Sequence, residues 1–256
     1  MFGTGGAKQM DHVTAEQLHS NAVLGGIVHA TSQIHSDAMD VIWEGNECWL
    51  EDFVDTAGVL RFLPVEVVGV FCDVECPYPR SWLAKNQEHL FRGMPADLRG
   101  IAEEFIRTHP HMQLPLGGEE LSLASAVLWS EGGRLRTAVP WPEFLENGGH
   151  ILRDHLVPPE NALAVWAETY RLSADETAFV QRVFERKRAA GFGTIALTTD
   201  EWRWLGEEAH KAERPGPYGN YFAGLEICWP GMPIGIGWPS MPKGSAEPGA
   251  APDQAT

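Results

Sequence analysis

Two histidines flank a proline at His109-Pro110-His111. In extended backbone, residues two apart project to the same side, as two ligands of one metal must. His150 and Asp154 are four apart and share a face if that segment is helical. His109, His111, His150 and Asp154 are therefore a candidate metal set of the kind a hydrolase uses to activate water, provided the fold gathers them. Asp73 and Glu75 offer carboxylates for a divalent cation elsewhere. Ordinary surface or capping histidines account for the same residues without a metal.

The acids are more unevenly distributed than the histidines. Between positions 37 and 75 there are ten acidic residues and one base, Arg61, a local charge of −9 out of a total of −16. Like charges facing each other across strands destabilise a sheet, by up to about 1 kcal/mol a pair. A basic protein partner, drawn in by complementary charge, would offset that cost. Trp43, Trp49 and Phe53 stand among these acids, and tryptophan amid charge is a common make-up of binding hot spots. Trp43, Glu44, Glu47, Trp49, Glu51, Asp52 and Asp55 form the candidate partner-binding set. Two plainer readings stand beside it. The acids sit solvated at turns and edges and discourage sheet-to-sheet aggregation, and the tryptophans cover a core.

Other chemistry finds less support. The chain contains no phosphate-binding P-loop, no dinucleotide fingerprint, no H-E-x-x-H, no G-x-S-x-G and no EF-hand loop. Cys48, Cys72, Cys76 and Cys228 contain no C-x-x-C pair, so they read as reduced thiols, with a Cys48–Cys72 bridge open if their strands are neighbours. Cys72 and Cys76 fall on the apolar side of their strand, where a thiol is inert. Arg182, Arg186, Lys187 and Arg188 cluster at a helix end, where cations suit the macrodipole. A net charge of −16 disfavours direct contact with nucleic acid or anionic membrane. No apolar run is long enough for a bilayer span, and the first residues lack the features of a signal peptide. Cytoplasm is the expected location, and no cofactor is expected.

The elements that must position these residues follow from periodicity. Thr14 with Gln17 reads as a capping box opening a helix that contains Gly25–Gly26, a pair that weakens the helix or admits a close neighbour. From 38 to 76, runs of β-branched and aromatic residues are punctuated by Gly45–Asn46, Asp55–Gly58 and Pro64, predicting a four-stranded antiparallel meander. In its last strand Val68, Val70, Cys72, Val74 and Cys76 share one face, with Phe71, Asp73 and Glu75 on the other. Residues 81–108 predict two helices broken near Gly93 and Pro95. Leu121–Trp129 and Arg134–Pro140 predict a second hairpin. Short helices at 141–147 and 149–156 precede helices after Pro158, Ser173 and Thr198, with a strand at 194–198. Residues 213–243 mix prolines, glycines and aromatics and read as an irregular strap; 244–256 read as a disordered tail.

The fold class expected is α+β: an antiparallel meander plus a second hairpin, packed with several amphipathic helices. Residues 11–243 are expected to form one domain, with a candidate boundary near 115. The function expected is a non-catalytic, inhibitor- or immunity-like binding protein whose acidic sheet takes a basic partner, with the metal-dependent hydrolase as the alternative. In a third reading the strap docks onto a neighbouring subunit.

Overall fold

The computed structural model describes residues 13–32, 40–52, 54–116, 119–211 and 218–232. Its framework is a six-stranded antiparallel sheet. The first four strands are the expected meander: β1 Asp40–Glu44, β2 Glu47–Glu51, β3 Thr56–Phe62 and β4 Val67–Asp73. Gly45 has φ 63°, which a tight two-residue turn requires and glycine adopts without strain.

The expected second hairpin is present but shifted. Its strands are β7 Ala126–Glu131 and β8 Arg134–Arg136, and β7 pairs with β4, so the hairpin extends the same sheet. The residues just before it form a separate small ladder, β5 Gln113–Leu116 with β6 Glu119–Ser122.

Helices cover both faces of the sheet. On one face lies α1, Ala15–Ser32, buried on all sides from Leu18 to Ser32 except at His19, Ser20 and His29. A helix that is apolar all round must be enclosed, and α1 packs against α5 Pro159–Thr169, α6 Ala174–Ala190, α8 Tyr218–Gly224 and strand β1. The Thr14–Gln17 capping box opens it as expected. The Gly25–Gly26 pair admits two indoles: a Cβ on Gly25 would lie 2.8 Å from Trp166, and one on Gly26 2.7 Å from Trp43. On the other face α2 Arg80–Leu90 and α3 Ala96–Thr108 form a second layer.

Each layer has its own core. Leu60, Phe62, Val67, Phe71 and Leu128 point to the α1 side, while Val59, Val68, Val70, Cys72 and Trp129 point to the α2–α3 side. This is the alternation expected of β4, applied to a strand apolar on both faces. Two bulky residues fit across from glycines on neighbouring strands: Gly58 is paired with Phe71, and Gly69 with Leu60. A Cβ on Gly69 would lie 2.6 Å from the Leu60 side chain.

The two cores also settle the cysteines. Cys48 belongs to the α1 core and Cys72 to the α2–α3 core, so the sheet lies between them. All four thiols are free, and the Cys48–Cys72 bridge does not form.

The remaining chain follows its capping signals. Short helices occupy α4 Trp141–Glu146 and the 3-10 turn Gly149–His155. Ser173–Glu176 caps α6 reciprocally, and Thr198–Glu201 caps α7 Thr199–Lys211. Arg186 holds Glu201 through paired bonds of 3.0 and 2.9 Å, and the buried Lys187 ammonium donates to the Gly193 carbonyl. Of the expected irregular strap, residues 218–232 are described, and they are partly regular. They contain α8 and the short β10, Ile227–Cys228, paired in parallel with β9, Ile195–Ala196. The remainder of the strap and the 244–256 tail lie outside the described residues. No helix among the described residues is long and apolar enough to cross a membrane.

Candidate functional site

The β1–β2 hairpin carries most of the candidate partner-binding residues, and its register sets which of them meet. Counting outward from Gly45–Asn46, Glu44 faces Glu47, Trp43 faces Cys48, Ile42 faces Trp49, and Asp40 faces Glu51. Side chains alternate between faces. Val41, Trp43, Cys48 and Leu50 are buried on the α1 side, Trp43 at 3% exposure. Ile42, Glu44, Glu47, Trp49 and Glu51 belong to the opposite face and are exposed or half-buried. That face therefore reads in rungs: two glutamates, then Ile42 beside Trp49, then Glu51 in register with Asp40.

The α2–α3 layer reaches this face only at its margin. The ring of His109, just past α3, lies 4.4 Å from that of Trp49. Arg61, opposite Glu47 on β3, bonds it at 2.9 and 2.5 Å, reaches Glu104 of α3 at 3.5 Å, and lies over the Phe105 ring. Glu47 is thus neutralised by the one base among the meander's acids. Glu44, at the exposed tip, has no ion pair among the described residues.

Asp52 and Asp55 lie at the other end of the hairpin. The Asp52 carboxylate accepts backbone N–H groups of Val54, Asp55 and Thr56, at 2.9 to 3.0 Å. Burial works to raise its pKa, and the turn's N–H groups outweigh that and hold it below the ordinary value. Asp73, at the end of β4, is 7% exposed and accepts the Glu75 N–H. Burial raises its pKa, against the pull of that N–H and of His150, and Asp52 and Asp55 add to the rise. Ser125 ties this end together: its hydroxyl accepts the Asp73 N–H and donates to the Asn147 carbonyl. Phe53 lies outside the described residues.

The candidate metal ligands go to different surroundings. His109 is 4% exposed, within the α2–α3 core against Trp49. The segment after it is a 3-10 turn, Pro110–Met112, rather than the extended chain the i, i+2 argument assumed. The side chain of His111 lies outside the description. His150 sits 3.3 Å from the Thr56 hydroxyl, whereas Asp154 accepts a bond from Thr169 on α5. Among the described residues, no group of three or more His, Cys, Asp or Glu side chains is placed to hold a metal ion.

Sequence reasoning passed over Ile42. The signal was available: a two-residue turn at Gly45–Asn46 makes the third residue out on each side a pair, so Ile42 stands beside Trp49. Comparison with protein-family models, with curated proteins and with solved structures finds no match for this chain.

Proposed function

We propose that this chain is a non-catalytic protein-binding module of inhibitor or immunity type, and that the outer face of its β1–β2 hairpin takes a basic partner. The observation that supports this reading is the rung order: acids at both ends of the hairpin, with Ile42 and the half-buried Trp49 between them. A partner presenting an apolar side chain flanked by lysine or arginine complements that order. The apolar contact supplies affinity, and the charges supply register and steering. The net charge of −16 extends the attraction beyond contact range and makes it salt-dependent. A reducing cytoplasm suits four unbridged thiols.

The test compares the parent with an Ile42→Lys/Glu44→Lys variant as bait in host lysate, then measures association of the captured protein as salt rises. The variant should keep the parent's unfolding midpoint, because Ile42 and Glu44 lie outside the cores, yet fail to capture the partner. Association with the parent should slow steeply with salt. Equal capture by both baits, or no capture by the parent at low salt, would overturn the reading.

A further inference from the structure

A groove on the opposite, α1 side of the sheet has a different chemistry. It opens between the first turns of α1, the β3–β4 turn, the β7–β8 turn and the loop after α6, and encloses about 660 Å³. A smaller hollow of about 190 Å³ continues from it, sharing Glu16, His19 and Phe192. The volume is that of a small-molecule site. Among the described residues three large apolar side chains are exposed, and two of them, Val65 at 76% and Phe192 at 48%, line this groove.

Its floor is an imidazole set among aromatic rings. His19 lies 4.8 Å from the ring of Phe62 and 4.7 Å from that of Phe192. Burial lowers its pKa to about 4, aided by Lys187, so the ring is neutral at physiological pH. It then offers one donor and one acceptor nitrogen, and neither has a hydrogen-bond partner among the described residues.

The charges at the rim of the larger cavity favour a cation. Glu16 and Glu66 line the larger cavity and make no ion pair among the described residues, against the single base Arg134. The bases of the smaller hollow keep their charge, Lys187 with Glu226 at 3.9 Å and Arg188 over the Phe184 ring, so the excess of acid belongs to the larger cavity alone.

We propose that this groove binds a small aromatic amine, with the ring between Val65 and Phe192, a polar ring substituent on the His19 imidazole, and the ammonium facing Glu16 and Glu66. Apolar walls with a few convergent polar groups are the make-up of such sites, and a neutral imidazole lets the cation approach without repulsion. This site is independent of the hairpin face, which lies across the sheet.

The test is an NMR titration of the full chain with tyramine, following the ring signals of His19 and Phe192. 4-Hydroxyphenylacetate, of similar shape and opposite charge, is the comparison. Tyramine should shift both signals saturably, and the anion should bind at least several-fold more weakly. The Glu16→Gln/Glu66→Gln variant should weaken tyramine binding by about tenfold, the sum of two partly exposed ion pairs. Phe192→Ser should weaken it as well, with the unfolding midpoint unchanged because that side chain is half in solvent. No saturable shift, equal affinity for the anion, or tyramine binding unmoved by either variant would overturn the proposal.

Discussion

Replacing Gly25 by alanine sets two effects of opposite sign against each other. In a helix interior alanine is favoured over glycine by about 1 kcal/mol. The new Cβ, however, would lie 2.8 Å from Trp166 Cζ2, with two further indole carbons at 3.2 Å. Trp166 is 0% exposed and held by His155 at 4.9 Å and Tyr170 at 5.8 Å between ring centres, so the rigid indole has nowhere to withdraw. Overpacking a well-filled core costs about 1–3 kcal/mol, and a rigid neighbour places this site toward the upper end. The net expectation is a loss of about 1–2 kcal/mol, which lowers the midpoint by roughly 2–8 °C for a chain of this size. Urea titration and calorimetry measure it directly. Trp166→Phe removes the crowding carbons, so the cost of Gly25→Ala should shrink by about 1 kcal/mol or more in that background. If Gly25→Ala raises stability, or costs the same with Phe at 166, close packing of α1 on α5 is not why glycine is there.

Three further outcomes follow from side chains whose work is structural. Asp52→Ala removes the acceptor of three turn N–H groups and should cost about 1–2 kcal/mol at neutral pH in urea titrations; because the folded pKa is lowered, that deficit should persist above about pH 4 and fade on acidification below it. His155 is fully buried and its pKa is pushed down to about 3, so the unfolded chain binds a proton that the folded one refuses. Stability is complete above the ordinary histidine value and falls as pH drops from about 6.5, by up to about 1.4 kcal/mol per pH unit per proton. His155→Phe should flatten that decline, and an unchanged slope between pH 6.5 and 4.5 would contradict the assignment. Burial raises both Cys48 and Cys72, the latter to about 12, with Cys76 and Asp73 adding to the rise. An aromatic disulfide reagent should therefore label the half-buried Cys76 and Cys228 first and reach Cys48 and Cys72 only on unfolding.

The meander was legible because its signals are local. Gly45–Asn46 and Pro64 mark two of the turns, and β-branched runs fill the intervals; Asp55–Gly58, expected as the third, falls mostly inside β3, because the turn is closed earlier by the Asp52 carboxylate. The α1, α6 and α7 starts were equally plain, since Thr14–Gln17, Ser173–Glu176 and Thr198–Glu201 each satisfy their own orphan backbone groups within four residues. What resisted reading was long-range. Nothing near β7 announces that it pairs with β4, across α2 and α3. The regular pieces of the strap depend on partners far away: β10 is held by β9, and α8 by α1. At the candidate site, Glu47 and Trp49 were found from composition, but which residues are their neighbours follows from register. Trp43 and Trp49 look alike in sequence, yet Trp43 is the second residue out from the turn and Trp49 the third, which places them on opposite faces. The metal set shows the same limit: i, i+2 and i, i+4 spacing describe directions within one element, and His109, His150 and Asp154 lie against three different neighbours.

A strand apolar on both faces has an ambiguity that a half-wet strand does not. Slipping β4 along β3 by one residue exchanges its two sides, and water imposes little penalty when neither side meets water. Hydrophobicity alone therefore leaves the alignment undecided. The pairs Gly58–Phe71 and Leu60–Gly69 decide it by shape, as a key's notches select one depth of insertion. Any slipped alignment sets Phe71 against a side chain instead of a bare backbone. Glycine, a poor strand former, earns its place in these two strands as the means by which the chain recognises its own correct alignment.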